Sequence, residues 1–92
     1  MKPMKTVVSV LGKDRTGVVA TVATTLTECG ANIDDIRQNV LENIFSMTML
    51  VTLDEDVATF NEVQEKLAKN AEKLSMQITI QRQDVLDFMY NV

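Results

Sequence analysis

The first third of the chain changes from a strand pattern to a helix pattern. Residues 5–11 are rich in β-branched side chains and carry apolar residues on both alternating faces, which is typical of a central strand. Apolar residues then recur at helical spacing over about residues 15–29, and Gly30 follows as a C-terminal stop. This part of the chain predicts a strand, a connecting loop and an amphipathic helix.

The next two strands are predicted to form a hairpin. Residues 31–42 mix apolar and charged positions, a polarity that suits a sheet edge or an interface. A tight turn at Glu42-Asn43 leads into residues 44–53, where apolar and polar side chains alternate. Neighbouring residues of a strand point to opposite faces, so we do not expect Asp34 and Asp35 to act as the converging carboxylates of a hydrolase.

A second helix and a fourth strand complete the predicted pattern. After an acidic linker at residues 54–56, apolar residues follow the three-and-four spacing of one buried stripe, and residues 75–82 then alternate as a strand. The order β-α-β-β-α-β predicts an α+β, ferredoxin-like fold, with a four-stranded antiparallel sheet and two helices on one face. The right-handed crossover rule places the first and third strands in the middle.

The charged face of the second helix is interpreted as a solubility feature. Glutamates alternate there with Lys66, Lys69 and Lys73, and the Glu62-Lys66 and Glu65-Lys69 pairs have the i, i+4 order that stabilises a helix. From the sequence we therefore assign these lysines no binding role.

The loop from Gly12 to Val18 is the predicted binding feature. The start of a helix presents about four unpaired N–H groups and a partial positive charge, so a carboxylate or phosphate can be held there. Gly12 and Gly17 lack a Cβ, which allows positive φ and close packing of the helix on a strand. Asp14 is interpreted as the helix N-cap, a role compatible with ligand binding. The loop has neither the dinucleotide fingerprint nor a P-loop ending.

Length and charge limit the classes of partner. A chain of 92 residues with 46% hydrophobic residues predicts one domain over residues 1–92, with a core at about residues 4–82 and a short apolar tail at residues 83–92. Small domains gain buried area by pairing, which favours a homodimer. The net charge of −4, without a basic stripe, argues against nucleic acid.

The residue inventory excludes several chemistries. The chain has no His and a single cysteine, Cys29, so a zinc site, a His-based catalytic triad and an internal disulfide are excluded, and we predict no metal or cofactor. Cys29 is interpreted as a packed thiol. The few residues before the first strand are too short for a signal peptide or a membrane span, which predicts a cytoplasmic protein without membrane contact.

Two segments together resemble the ACT domain family. These are Val-Leu-Gly-Lys-Asp-Arg-Thr-Gly-Val-Val-Ala at residues 10–20 and Gly-Ala-Asn-Ile at residues 30–33, and the resemblance covers about residues 4–82. The length is similar to that of the family's small stand-alone members. The resemblance implies a non-enzymatic regulatory module that binds an amino acid or similar metabolite, generally at an interface between paired domains. Thr16 stands where many members have Pro at the first helical turn.

The resemblance also implies a set of ligand-binding residues. They are Gly12, Lys13, Asp14, Arg15, Thr16, Gly17 and Val18 in the loop, and Asn32, Ile33 and Asp34 at the start of the second strand. For a zwitterion, the N–H groups near Arg15 to Val18 would hold the carboxylate. Asp14, Asp34 or the oxygen of Asn32 would accept from the ammonium group.

Two other functions are weighed against this one. A protein–protein interaction module with no small-molecule ligand is favoured by the apolar tail around Phe88, which is expected to pack on the sheet or on a neighbour. An acylphosphatase-like enzyme would share the topology and use Arg15, but the loop lacks the glycine-rich phosphate cradle of that family.

Overall fold

The computed structural model describes residues 2–13 and 16–84 and contains the six predicted elements in the predicted order. The strands are β1 (Pro3–Gly12), β2 (Asn32–Leu41), β3 (Ile44–Asp54) and β4 (Gln77–Arg82), and the helices are α1 (Val18–Glu28) and α2 (Phe60–Leu74). Most of the predicted apolar tail, residues 85–92, lies outside the described residues, as do Asp14 and Arg15 of the loop.

The four strands form one antiparallel sheet in the order β2-β3-β1-β4. This order confirms the ferredoxin-like fold and places β1 and β3 in the middle, as predicted. Along β1, Val8 lies opposite Met49 of β3 on one side and Ile80 of β4 on the other. The helices contact each other, α1 also contacts β2, and α2 also contacts β4.

The core lies between the helices and one face of the sheet. Val8 and Val10 of β1 and alternate residues of β3 are buried there against both helices. The other face of the sheet, which we call the open face, carries the apolar side chains of Leu11 and Leu50, which are 46% and 40% exposed. The two apolar faces of β1 therefore reflect its central position, but only one of them is covered, because antiparallel sheets can leave one face to water.

Helix α1 begins later than predicted. Its N-cap residue is Gly17, in the left-handed conformation with φ of 72°, and no side chain caps it within the described part of the chain. The N-cap position is therefore Gly17, and Asp14, which was interpreted as the N-cap, lies outside the described residues. The chain needs the left-handed turn at Gly17 to enter the helix, which moves the first helical residue to Val18.

The C-terminal stop of α1 is confirmed. Gly30 has φ of 73°, its N–H donates to the Thr27 carbonyl at 2.9 Å, and the Ala31 N–H donates to the Leu26 carbonyl at 3.0 Å. These are the two hydrogen bonds of a Schellman motif. The side chain of Val57 lies where a Cβ on Gly30 would be placed, so the position is limited by packing as well.

Helix α2 has a complete N-terminal cap and a strained C-terminal end. The Thr59 side chain accepts from the Glu62 N–H at 3.2 Å, and the Glu62 carboxylate accepts from the Thr59 N–H at 3.3 Å, which forms a capping box. At the other end Ser75 adopts φ of 55°, a left-handed conformation that favours glycine.

Candidate functional site

The predicted binding loop begins at Gly12, the last residue of β1, where the packing is tight. The Sδ and Cε atoms of Met76, just after α2, occupy the space in which a Cβ on Gly12 would lie. Gly12 does not have a positive φ. Its lack of a side chain therefore allows Met76 to pack closely against the backbone of Gly12. The loop starts at this contact between β1 and the end of α2.

Gly17 serves the opposite purpose. Among the described residues, no atom lies within 4 Å of the place where its Cβ would be, so its positive φ and not its packing requires glycine. The interpretation that Gly17 lets the helix pack closely on a strand was wrong. The Gly17 carbonyl accepts from the Thr21 N–H at 3.0 Å, which is the first hydrogen bond of α1. The N–H groups at the start of the helix, from Val18 to Ala20, come before this first hydrogen bond. They have no partner within the helix and can therefore donate to a ligand.

The first residues of β2 form a separate polar cluster. Asn32 Nδ2 donates to Asp34 Oδ1 at 2.5 Å, and Thr52 Oγ1 of β3 donates to Asp34 Oδ2 at 2.6 Å. The Thr52 bond, the Asn32 bond and the nearby charge of Lys5 lower the pKa of Asp34 below its ordinary value. We call these four residues the Asp34 cluster. Its carboxylate is ionised and oriented before any ligand arrives.

A β-bulge at Asp34 places this cluster on the open face. The pairing of β2 with β3 shifts between Ile33 and Asp35, so that Asn32 lies opposite Thr52, whose side chain is on the open face. Asp35 lies opposite Leu50 on that same face. The expectation that Asp34 and Asp35 point to opposite faces was therefore wrong, because Asp34 is the extra residue of the bulge and interrupts the alternation.

The carboxylates of Asp34 and Asp35 are held by different partners. Asp35 accepts from the Ile36 N–H at 2.9 Å and pairs with Arg37 Nε at 3.4 Å. Among the residues that the structure describes, no group of three or more His, Cys, Asp or Glu side chains is arranged to hold a metal ion.

The other predicted ligand residues have different environments. Val18 is buried, and Ile33 packs against the core, so their side chains serve the fold. Lys13 and Thr16 are exposed on the loop. Thr52 and Lys5 of the Asp34 cluster were missed, since only the register of the sheet shows that they adjoin Asn32.

The two predicted halves of the site lie far apart within one chain. Gly12 is opposite Phe45 of β3, whereas Asn32 is opposite Thr52, seven residues further along the same strand. At a rise of about 3.3 Å per residue, these levels of the sheet are about 23 Å apart. One chain therefore does not bring the loop and the start of β2 to a single ligand.

Strand β2 is an edge of the sheet and carries exposed apolar residues. It pairs with β3 on one side only, and no other strand of the described chain pairs with its outer side. Val40 is 50% exposed and Leu41 is 70% exposed. A long edge strand with unpaired backbone groups and apolar side chains is a template for pairing with another chain.

Comparison with known proteins identifies the family. A family model described as an ACT domain matches residues 5–81. The chain belongs to the ACT domain family. Among its relatives, a UPF0237 protein of Methanocaldococcus jannaschii is 39% identical over 88 residues, which cover 96% of this chain and 98% of that protein. A UPF0237 protein of Streptococcus mutans is 40% identical over 89 residues, which cover 97% of this chain and all of that protein.

A solved structure supports the same assignment. An ACT domain protein from Streptococcus pneumoniae superposes with a TM-score of 0.78 at 33% sequence identity, and the match covers 91% of this chain and 94% of that one. ACT domains are regulatory, ligand-binding modules, so the class of function expected from the sequence is confirmed at that level. No helix in residues 2–13 and 16–84 is long and apolar enough to cross a membrane.

Proposed function

We propose that this ACT domain is a non-enzymatic regulatory module that binds a small metabolite, an amino acid, at the interface of a homodimer. The observation that carries the proposal is the separation of Gly12 from Asn32 along the sheet, together with the free edge of β2. A partner chain is needed to bring two such distant segments to one ligand.

Antiparallel pairing of β2 with a second copy of itself would meet this need. Such pairing sets the Asn32 end of one strand beside the Leu41 end of the other, and Val40, next to Leu41, lies opposite Phe45 of β3, as Gly12 does. The partner subunit's Asn32 would then approach the end at which the Gly12–Val18 loop lies. Two-fold symmetry would produce two equivalent sites.

The two halves offer complementary chemistry to an amino acid. The N–H groups at the start of α1, next to the open space at Gly17, suit the α-carboxylate. The ionised Asp34 carboxylate of the partner, with Asn32 beside it, suits the α-ammonium group. The remaining loop residues, Lys13, Asp14, Arg15 and Thr16, would line the space between them.

Binding at an interface also explains how such a module signals. A ligand that contacts both chains favours the paired state over separate chains, because it binds that state more tightly. The output is then a change in dimer stability or geometry, and no bond in the ligand is broken.

The test is thermal unfolding of the protein against a panel of amino acids and related metabolites. A ligand that binds only the native state raises the unfolding midpoint by an amount set by its concentration and affinity. We expect a selective rise for one or a few compounds, which Asp34→Asn abolishes. Glu65→Gln, at an exposed acidic position of α2, serves as the control and should retain the rise.

A module that binds another protein and no metabolite is the second candidate. The observation that favours it is the open face, where Leu11, Leu41, Ile44 and Leu50 are all at least 40% exposed. A flat response to the whole panel would contradict the metabolite proposal and support this one.

A further inference from the structure

A polar groove runs between α1 and α2 and shares no lining residue with the loop or the Asp34 cluster. Its first part has a volume of about 330 Å³ and is lined by threonines of α1 and by Lys73 of α2. Its second part, of about 190 Å³, is lined by Lys66 and Lys69. The two parts share Thr25, Glu28 and Asn70. We propose that this groove, which we call the lysine groove, binds a small phosphate-bearing ligand.

The three lysines lie on the flank of α2 that faces α1. Their spacing of three and four residues sets them along one side of the helix. Within residues 2–13 and 16–84, none of the three forms an ion pair within 4.0 Å. The two i, i+4 pairs expected from the sequence are therefore not formed. In one of them, the Glu62 carboxylate is used by the capping box at Thr59.

Among the described residues, no carboxylate lies within ion-pair distance of the three ammonium groups, although the chain is acidic. The protein has 13 Asp and Glu residues against 9 Lys and Arg residues, so partners are in excess. Glu28 is the one acid among the residues that line the groove, and it lies in the region that both parts share. The net positive charge of the groove therefore favours an anion over a cation.

The opposite wall of the groove supplies hydroxyl groups. Asn70 is only 9% exposed, and its Nδ2 donates to Thr25 Oγ1 at 2.8 Å. Because the Thr25 oxygen accepts this bond, its own hydrogen can be donated to a ligand. Thr21 and Thr24 add two more hydroxyls on the same wall. Threonine is a poor helix former, so helix stability does not explain three of them on this side of α1.

Lysines and hydroxyls together suit a phosphate group. A phosphate monoester has a charge near −2 and three strong acceptor oxygens, and lysine binds phosphate as a compact point charge. The larger part of the groove is at the lower end of the size range of small-molecule sites. A nucleic acid is disfavoured as the occupant by the net charge of −4.

The experiment is an NMR titration of the full chain, labelled with ¹⁵N, with inorganic pyrophosphate at constant ionic strength. We expect saturable shifts of the Thr21 and Thr24 backbone amides and of the Asn70 side-chain amide. A triple variant, Lys66→Gln, Lys69→Gln and Lys73→Gln, should bind at least about tenfold more weakly. The control is Lys2→Gln, at an exposed position before β1, which should bind as the wild type does.

Two results would overturn the proposal. One is a set of shifts that grow linearly with pyrophosphate and never saturate, which indicates non-specific screening. The other is equal affinity in the triple variant, with its unfolding midpoint unchanged to show that it is folded. No residue of the lysine groove belongs to the loop or to β2, so either result leaves the proposed metabolite site untouched.

Discussion

At Gly17 the backbone has φ of 72°, and no atom of residues 2–13 or 16–84 lies within 4 Å of the position that a Cβ would take. A residue with a Cβ would fit there sterically but would adopt a conformation that costs about 1 kcal/mol or more. We expect Gly17→Ala to lower the free energy of unfolding by about 1 kcal/mol, measured by urea denaturation. Gly17→Asn should lose less, because asparagine tolerates the left-handed region.

A comparison with Gly30 separates the effect of conformation from that of packing. Gly30→Ala meets the Val57 Cγ1 atom 2.8 Å from the new Cβ, in addition to the same positive φ. Its loss of stability should therefore exceed that of Gly17→Ala. Equal losses at the two positions would show that the open space at Gly17 is not present in solution.

The carboxylate of Asp34 should titrate at lower pH than an ordinary aspartate. Its pKa is lowered mainly by the hydrogen bond from the Thr52 hydroxyl and next by the one from Asn32. These bonds therefore stabilise the folded protein fully above the ordinary pKa of an aspartate, and this stabilisation is lost as the pH falls through the lowered pKa. NMR titration of the side-chain carboxyl in Thr52→Val should give a higher pKa for Asp34. The pKa of Asp54, lowered by the N–H groups of Lys2 and Asp56, should not change.

The residues of the Asp34 cluster show what the sequence could not predict. A two-residue turn at Glu42-Asn43 pairs Leu41 with Ile44. If the pairing continued from there without a bulge, Asn32 would lie opposite Leu53, whose side chain is in the core. The bulge shifts Asn32 to Thr52 and so to the open face. No residue type near Asp34 indicates that this residue forms the bulge. The face of the sheet on which Asn32 lies is therefore known only from the observed pairing of β2 with β3.

Among the elements, helix α2 ends at a residue in an unfavourable backbone conformation. Ser75 has φ of 55°, while the Met76 N–H donates to the Ala71 carbonyl at 3.0 Å, as in a Schellman motif. Glycine adopts this conformation without strain but is more flexible in the unfolded chain. We expect Ser75→Gly to raise the free energy of unfolding by about 0.5 kcal/mol, measured by urea denaturation.

Ser75→Ala is the matched control for this change. It removes the same hydroxyl but keeps a Cβ at positive φ, so it should produce no gain. If alanine stabilised the protein as much as glycine, the hydroxyl and not the backbone conformation would be the cause.

The elements themselves were predictable because periodicity and turn residues agree along most of the chain. Gly30 ends α1 as expected, and the apolar stripe of α2 is buried through Val63 and Leu67. The start of α1 was misplaced because Asp14 has the side chain of a common N-cap, whereas the structure uses the backbone of Gly17. A glycine N-cap leaves no side-chain signal that distinguishes it from a glycine in the loop.

For the whole molecule, the free edge of β2 leads to a test of dimerisation. Leu41 is 70% exposed on this edge, and a lysine there would bring two positive charges to the proposed antiparallel interface. We expect the wild type to have twice the chain mass of 10.3 kDa in sedimentation equilibrium. Leu41→Lys should shift the equilibrium to the single chain.

The control replaces an exposed leucine that is not on the edge. Leu50 lies on the central strand β3 and is 40% exposed on the open face, so Leu50→Lys adds the same charge on a strand that does not form the edge of the sheet. It should leave the association state as in the wild type. Dissociation by Leu50→Lys but not by Leu41→Lys would contradict pairing through β2 and indicate pairing through the open face.

The contact of Met76 with Gly12 makes the residues allowed at these two positions depend on each other. The thioether fills the volume that any side chain at position 12 would need, so a substitution at Gly12 requires the Met76 side chain to move or to be replaced by a shorter one. In descendants of this chain the two positions are therefore expected to vary as a pair. The first residue of the predicted binding loop would thus covary with the residue that follows the end of α2.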